Sequence, residues 1–309
     1  MSVLVTGGAG FIGSHLVERL LKEDYNVVVL DDLSSGKTEN LDLKNRSLLF
    51  VKGNICDREL VKKAMKDVEV VFHLAALVDV PFSVKNPLLV NQVNVCGSLN
   101  ILEGSVKNSI EKFIYASSCA VYGEPQYLPI NEEHPTNPLS PYAVSKLTVE
   151  KYCQVFHKLY GLKTVSLRLF NVYGPRQESE FYSGVISQFI RRLRSGKPPI
   201  IFGDGLQTRD FVYVLDVVDA FYKAMNSKQC TGEINIGSGK ETSIKELAEV
   251  LMEKFGLKKA ELIYMEPRAG DIKRSRANIE KAKHILGYMP HFTLENGLNL
   301  LLEASISSL

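Results

Sequence analysis

The 309-residue sequence lacks the features that mark several classes of protein. Lysine and arginine number 37 against 35 acidic residues, and this near-balance argues against a protein built mainly to bind nucleic acid or an anionic membrane. Five cysteines without a CxxC pair indicate neither a disulfide framework nor a zinc module. No apolar run approaches about 18 residues and no basic segment precedes the first strand, so we expect neither a membrane span nor a signal peptide, and a cytoplasmic location.

The chain does contain short apolar runs that alternate with helical patterns, which predicts βαβ units in a Rossmann-type, doubly wound parallel sheet of the α/β class. We expect residues 1–170 to form this domain, and residues 171–309 to form mainly a smaller, interleaved substrate-binding lobe. Segments near 211–240, including a strand at Glu233–Gly237, are expected to return to the sheet. The predicted strands of the first half are Val3–Thr6, Val27–Leu30, Leu48–Lys52, Val70–His73, Lys112–Ala116 and Thr164–Leu169. The predicted helices are Phe11–Glu23, Arg58–Met65, Leu88–Asn108, Pro141–Leu159, Tyr182–Arg194, Leu215–Met225, Ile244–Phe255, Ile279–Leu286 and Leu294–Ala304.

A glycine-rich turn directly follows the first strand and opens a helix. Gly7, Gly10 and Gly13 allow a tight turn, a close approach of the backbone to a pyrophosphate, and close packing of helix on strand. Glycines alone are weak evidence, but here they lie in the strand–turn–helix context that the motif requires. This pattern predicts a dinucleotide site.

The second strand ends in Asp31-Asp32, 18 residues after Gly13. A carboxylate at this position accepts hydrogen bonds from the adenosine ribose and repels the extra phosphate of NADP, so NAD is the expected cofactor. The alternative is a solvated turn carboxylate. Asn54-Ile55 follows the third strand, where an adenine edge could be read, and small residues follow His73. His73 itself is expected to be a packed histidine, and no metal site is predicted because no cluster of ligand residues accompanies it.

Tyr142 and Lys146 lie four residues apart on one face of a predicted helix. A tyrosine has a pKa near 10, and lowering it by ~3 units takes ~4 kcal/mol, which a lysine ammonium and a positive nicotinamide together can supply. Ser118 ends the fifth strand, where open α/β sheets bind their ligands, and its hydroxyl could assist at a sugar oxygen. Either motif alone could be an ordinary helix face or an ordinary serine turn.

Together these motifs resemble the extended short-chain dehydrogenase/reductase family, and within it the NAD-dependent nucleotide-sugar 4-epimerases. The matching residues cover nearly the whole chain in the family's order: Gly7/Gly10/Gly13, Asp31, His73-Leu74-Ala75-Ala76, Ser118-x-x-Val121-Tyr122-Gly123, Tyr142-x-x-x-Lys146, Phe170-Asn171-Val172-Tyr173-Gly174-Pro175, Gly203-Asp204-Gly205-x-Gln207-x-Arg209-Asp210 and Arg268-x-Gly270-Asp271. Two positions depart from the pattern, since Asn54 stands where the family often has Asp, and Val78 where some members have Lys.

The resemblance implies a role for each matched residue. Tyr142 would be the acid/base at the sugar 4-hydroxyl, Lys146 would lower its pKa and hold the nicotinamide ribose, and Ser118 would assist the proton transfer. The cofactor would be lined by Gly7, Gly10, Phe11, Ile12, Gly13, Asp31, Asp32, Ser34, Ser35, Gly36, Asn54, Ile55, Leu74, Ala75, Ala76, Asn94, Tyr142, Lys146 and Phe170. A UDP-sugar would be held by Val78, Ser118, Tyr142, Asn171, Val185, Phe189, Arg209, Arg268, Asp271 and Ser275, with the arginines on its diphosphate.

The resemblance implies interconversion of UDP-glucose and UDP-galactose, as in galactose metabolism, through a 4-keto intermediate. The small Ser275 is expected to leave room for an N-acetyl group, so UDP-GlcNAc and UDP-GalNAc are expected as substrates too. A homodimer is expected through the helices around Leu88–Asn108 and Pro141–Leu159. The alternatives are a dehydratase or decarboxylase of the same family, and an NAD-binding regulatory protein without catalysis. Dehydratases need an Asp-Glu pair directly after the catalytic hydroxyl, and Cys119-Ala120 stands there instead.

Overall fold

The computed structural model describes residues 1–177, 184–257, 261–267 and 271–306. Its helices are α1 Phe11–Lys22, α2 Arg58–Ala64, α3 Val80–Lys85, α4 Pro87–Asn91, α5 Ser98–Lys107, α6 Pro141–Tyr160, α7 Val185–Arg194, α8 Val214–Asn226, α9 Ile244–Lys254, α10 Glu280–Leu286 and α11 Leu294–Ile306. Its strands are β1 Ser2–Thr6, β2 Asn26–Asp31, β3 Leu48–Lys52, β4 Val70–His73, β5 Lys112–Ser118, β6 Lys163–Leu169, β7 Asn171–Tyr173, β8 Ile200–Phe202, β9 Thr208–Arg209, β10 Phe211–Tyr213, β11 Gly232–Ile236, β12 Thr242–Ser243 and β13 Ile263–Met265.

Seven strands form one parallel sheet in the order β11-β6-β5-β4-β1-β2-β3. The strands are apolar runs because helices cover both faces of the sheet. Apolar residues of α1 and α8 fill one face, and those of α2, α5 and α6 fill the other. The strand order reverses between β1 and β4, and a ligand crevice opens at such a switch point beyond the carboxyl ends of the strands. The predicted Rossmann-type parallel sheet is therefore confirmed.

After β6 the chain builds a further apolar cluster, with residues from α7, α9 and α11. Between α7 and α9 the chain returns to the sheet, because β11 pairs with β6 where the sequence predicts a strand at Glu233–Gly237. Three two-stranded pairings, β7 with β10, β9 with β12 and β8 with β13, hold the lobe segments together. The division into residues 1–170 and 171–309 stays a prediction.

The long helix predicted at Leu88–Asn108 is wrong in detail. The chain forms α4, then a π-helical turn at Gln92–Gly97, and then α5. The apolar spacing does not reveal this widened turn, which brings Asn94 into the interior. The short helix α3, capped by the Asp79 carboxylate on the Phe82 N–H at 2.5 Å, was not predicted either. Residues 182 and 183 of the predicted helix Tyr182–Arg194 lie outside the described residues.

Candidate active site

The glycine turn after β1 leaves no room for side chains. Gly7 has φ +70°, and a Cβ added there would lie 2.8 Å from the Ala75 nitrogen. A Cβ on Gly13 would lie 2.1 Å from the Gly7 carbonyl oxygen. Gly10 caps α1, so the first-turn N–H groups of this helix receive no side-chain cap from the described residues. N–H groups at the positive end of a helix suit a pyrophosphate.

Asp31 ends β2 and is nearly buried. Its carboxylate accepts hydrogen bonds from the Ala9 N–H at 2.9 Å and the Leu33 N–H at 2.8 Å, while burial raises its pKa. Asp32 accepts the Ser34 N–H at 2.9 Å and the Asn54 side-chain amide at 2.7 Å. The two acidic residues therefore shape the loop on which the ribose would lie.

Other predicted cofactor residues occupy different surroundings. Ser35 lies exposed in the loop after Asp32, and Gly36 packs so close to Ala9 that a Cβ there would lie 2.8 Å from the Ala9 carbonyl carbon. Ile55 is buried in the apolar cluster beneath the sheet. Phe11 and Ile12 pack against the apolar cluster of the lobe.

The loop after β4 is held by side chains of its neighbours. The Ala75 N–H donates to the Thr6 hydroxyl at 3.2 Å, and the Asn94 side chain binds both the N–H and the carbonyl of Leu77, at 2.8 and 2.9 Å. The Asn94 amide also donates to the Ser145 hydroxyl on α6 at 3.0 Å. Asn94 therefore joins this loop to α6, beyond the lining role that its sequence position implies.

His73 is fully buried at the end of β4. The Ser98 hydroxyl lies 2.5 Å from the Asn94 carbonyl and 2.7 Å from His73 Nε2, so it donates to the former and accepts from the latter. His73 Nδ1 then accepts from the Thr6 hydroxyl at 2.7 Å. Burial lowers the pKa of His73 to about 3, which keeps the ring neutral, as expected for a packed histidine.

Helix α6 carries Tyr142 and Lys146 to the carboxyl end of β5. It starts with the Ser140 hydroxyl capping the Ala143 N–H at 3.2 Å and Pro141 in the first turn. The buried Lys146 Nζ donates to the Ala116 carbonyl at 2.8 Å and lies 5.8 Å from the centre of the Tyr142 ring. Burial lowers the pKa of Lys146 to about 7, and the nearby Glu150 carboxylate opposes this shift.

Ser118 ends β5, two residues after the carbonyl that binds Lys146. Its hydroxyl accepts the Ala120 N–H at 3.2 Å and so caps the short 3-10 turn Cys119–Tyr122. The structure therefore brings Ser118 and Lys146 to the same strand end. Cys119 follows directly, and burial raises the pKa of its thiol to about 12.

The predicted substrate residues come from several lobe segments. Asn171 starts β7 with its N–H donating to the Asp210 carbonyl at 2.9 Å. Arg209 donates to the carbonyls of Thr208 and Ile272 at 2.7 and 2.8 Å, and its guanidinium pairs with Asp271. Arg209 and Asp271 therefore lie together in the lobe as an ion pair.

The remaining predicted lining residues differ in exposure. Ser275 is buried and its hydroxyl has no hydrogen-bond partner among the described residues. Phe170 and Phe189 are buried. Three other predicted lining residues are only half-buried: Leu74, Ala76 and Val185. Val78 is exposed beyond the β4 loop. Arg268 lies outside the described residues.

Two buried charged residues near the site were not singled out from the sequence. Glu150 lies four residues after Lys146 on the same face of α6, and it pairs with Arg168 of β6 at 2.7 Å. The spacing of Tyr142, Lys146 and Glu150 was the available signal for the carboxylate.

Across the described ranges, no group of His, Cys, Asp and Glu side chains could hold a metal ion. No helix within those ranges is long and apolar enough to cross a membrane.

Comparison with known proteins gives one consistent family. Residues 3–237 match the NAD dependent epimerase/dehydratase family. A putative UDP-glucose 4-epimerase of Methanocaldococcus jannaschii is 47% identical over 298 residues, covering 96% of this chain and 95% of that protein. The crystal structure of the Thermotoga maritima UDP-glucose 4-epimerase with UDP-glucose is 42% identical, with a TM-score of 0.95 over 100% of this chain and 99% of that one.

A second solved structure is similar over its whole length. It is the UDP-N-acetylglucosamine 4-epimerase of Methanobrevibacter ruminantium with UDP-N-acetylmuramic acid, 40% identical, with a TM-score of 0.93 over 100% of this chain and 99% of that one. The resemblance drawn from the sequence motifs is confirmed, and with it NAD as the cofactor. The chain belongs to the NAD-dependent epimerase/dehydratase family.

Proposed function

We propose that this protein is a UDP-sugar 4-epimerase that inverts the configuration at C4 of a UDP-hexose. The observation that carries the proposal is the position of Lys146, whose Nζ binds the Ala116 carbonyl two residues before Ser118 and lies 5.8 Å from the centre of the Tyr142 ring. A tyrosine with a cation nearby can take a proton from a sugar hydroxyl and return it.

The glycine turn and the uncapped start of α1 fit the pyrophosphate of NAD, because the turn is too tight for a Cβ at Gly7 or Gly13 and the first-turn N–H groups of α1 have no side-chain cap. Asp31 can accept the ribose hydroxyls, since each carboxylate oxygen has lone pairs beyond the hydrogen bond that it already accepts. When bound, NAD supplies the reversible two-electron oxidation of C4. The other predicted cofactor residues keep their proposed lining role on the same grounds.

In the proposed reaction Tyr142 accepts the proton of the C4 hydroxyl, and Lys146 stabilises the phenolate that the reaction needs. Ser118 donates to or accepts from the same sugar oxygen. The resulting 4-keto sugar must then turn its other face to the nicotinamide while the UDP stays bound. Arg209 can hold the diphosphate through this turn, because its guanidinium already binds an anionic carboxylate, that of Asp271.

The residues after Ser118 favour epimerisation over loss of water. Elimination needs a group that can donate and accept a proton beside C5 and C6. Cys119 has a thiol whose pKa burial raises to about 12, and Ala120 has no titratable group. Neither side chain can perform this step at neutral pH.

We also propose that N-acetylated hexoses are accepted alongside plain ones. Ser275 is small and buried, and its hydroxyl lacks a partner among the described residues, so a substrate amide could supply one. The similarity to a UDP-N-acetylglucosamine 4-epimerase supports this substrate class.

The test is incubation with UDP-glucose, UDP-galactose, UDP-GlcNAc and UDP-GalNAc in the presence of NAD, with chromatographic and mass analysis of the products. We expect inversion at C4 without change of mass, and loss of this activity in Tyr142→Phe. Tyr160→Phe, the same change at the exposed end of α6, is the matched control and should remain active. Absence of inversion with all four sugars refutes the proposal, and loss of water or CO₂ assigns a dehydratase or decarboxylase instead. Unchanged activity in Tyr142→Phe refutes the catalytic role of Tyr142.

We further propose a homodimer through the outer faces of α3, α4 and α6. Large apolar side chains are exposed there, including Val84 at 62%, Leu88 at 86% and Leu159 at 66%. Large apolar side chains exposed on neighbouring helices are typical of a protein interface. Light scattering should give twice the chain mass for the native protein and a smaller mass for Leu88→Glu. A monomeric native protein at micromolar concentration refutes the dimer.

A further inference from the structure

A buried ion pair lies beneath the catalytic helix, and the proposed reaction does not use it. Glu150 is on the same face of α6 as Tyr142 and Lys146 and is fully buried. Its carboxylate accepts two hydrogen bonds from Arg168, Nε at 3.0 Å and Nη2 at 2.7 Å, and one from the Ser117 hydroxyl at 2.5 Å. The pair therefore fastens α6 to the ends of β5 and β6.

Arg168 also reaches away from α6. Its Nη1 donates to the Tyr122 hydroxyl at 2.9 Å and to the Glu132 carbonyl at 3.2 Å. The Tyr122 hydroxyl donates in turn to Asn235 Oδ1 at 2.7 Å. The Asn235 amide then donates to the Ile130 carbonyl at 2.9 Å. Every hydrogen bond in this series lies between buried or half-buried groups, so water does not compete strongly for the donors and acceptors.

Ile130 is the link to the lobe. Its N–H donates to the Arg276 carbonyl at 2.8 Å, and its carbonyl accepts the Asn278 N–H at 2.7 Å. These two residues follow Ser275, the residue assigned to the sugar. An unbroken series of hydrogen bonds therefore runs from the helix that carries Tyr142 to the segment that would hold the substrate.

We propose that Arg168 and Tyr122 are positioning residues, which fix the placement of the sugar-binding segment 275–278 relative to Tyr142. This inference rests on the proposed epimerase function. A buried ion pair contributes little net stability compared with apolar residues of similar size, so its presence suits a geometric role. The role matters because a misplacement of reacting groups by ~1 Å can cost a rate factor of ~100.

The direct test is Tyr122→Phe, which removes the connecting hydroxyl and leaves the Glu150–Arg168 pair in place. We expect kcat to fall ~10-fold, with KM for the sugar nucleotide and the Kd for NAD within about two-fold of the native values. Tyr288→Phe is the matched control, because Tyr288 is equally buried and loses one hydrogen bond, to the Gly237 carbonyl at 2.9 Å. It should lose less stability than Tyr122→Phe, whose hydroxyl makes two hydrogen bonds, and it should keep its kcat.

Arg168→Lys is the second variant, since it keeps a charge opposite Glu150 but cannot span to Tyr122 at the same time. It should reproduce the loss of kcat. A kcat in Tyr122→Phe that equals the native value, or that falls no further than in Tyr288→Phe, overturns the proposal.

A readout independent of the reaction separates this inference from the proposed function. Amide hydrogen exchange of the Asn278 N–H, measured with UDP bound, should be faster in Tyr122→Phe than in the native protein or Tyr288→Phe. Unchanged exchange overturns the coupling. A native protein that inverts no UDP-sugar refutes the proposed function alone, because the exchange experiment still measures the coupling.

Discussion

Lys146→Met gives a quantitative test of how the site activates its tyrosine. Lys146 Nζ lies 5.8 Å from the Tyr142 ring centre, and at an effective dielectric constant of about 20 a unit charge at this distance stabilises a phenolate by ~3 kcal/mol. At ~1.4 kcal/mol per pH unit, loss of the charge should move the acid limb of the pH–rate profile upward by ~2 units. The measurement is kcat against pH from about 5.5 to 10, with NAD saturating.

Lys151→Met, the same change on the exposed face of α6, is the control and should leave the profile in place. The Lys146 variant should fold, because burial lowers the pKa of Lys146 from 10.5 to about 7. The native lysine therefore costs stability that builds up as pH falls from 10.5 to 7 and persists below it, and methionine lacks this cost. The melting temperature at pH 6 should therefore be unchanged or higher. A lower rate plateau with an unmoved midpoint would refute the electrostatic role and leave Lys146 only a part in binding.

Three further outcomes are expected. Gly13→Ala should weaken NAD binding more than ten-fold in titration calorimetry, because its Cβ would lie 2.1 Å from the Gly7 carbonyl oxygen, whereas Gly256→Ala, a left-handed glycine in open space, should lower stability alone. The pKa of His73 is about 3 in the folded protein against an ordinary 6.5, so the unfolded chain takes up a proton first as pH falls. Between pH 7 and 5 the free energy of unfolding, measured in urea, should fall by ~2 kcal/mol more in the native protein than in His73→Gln. Equal losses in the two proteins would contradict this. Ser275→Tyr should abolish turnover of the N-acetylated sugars and spare the plain hexoses in product assays, and equal loss of both would place the limit elsewhere.

The strands of the sheet could be predicted closely because parallel strands that are buried on both faces consist of uninterrupted apolar runs. The glycine turn and α6 could be predicted because their signals are local: three glycines after a strand, and a serine cap followed by proline. The candidate catalytic pair could be predicted for the same reason, since Tyr142 and Lys146 are neighbours on one helix. Local patterns therefore carry both the frame and the centre of the candidate site.

The features that the sequence does not predict depend on contacts between residues that are distant along the chain. Arg168 lies between two leucines in β6, and its neighbours in the sequence do not predict its ion pair with the carboxylate of Glu150 on α6. The π-helical turn likewise places Asn94 where it forms hydrogen bonds to Leu77 and Ser145, and the apolar spacing of a helix does not predict such contacts. Ile55 is buried in the core, where its position after β3 had suggested only a cofactor contact.

The register of β5 on β6 links these distant partners to the catalytic centre. Ser117 pairs with Arg168, and both bind the Glu150 carboxylate, so the alignment of the two strands sets where α6 lies. The residue before Ser117 gives its carbonyl to Lys146, and the residue after it is Ser118, whose hydroxyl caps the turn Cys119–Tyr122. A slip of one residue would turn each of these side chains to the opposite face of the sheet. Three consecutive residues of β5 therefore hold α6 and Lys146 and end at Ser118, the residue proposed to assist at the sugar oxygen.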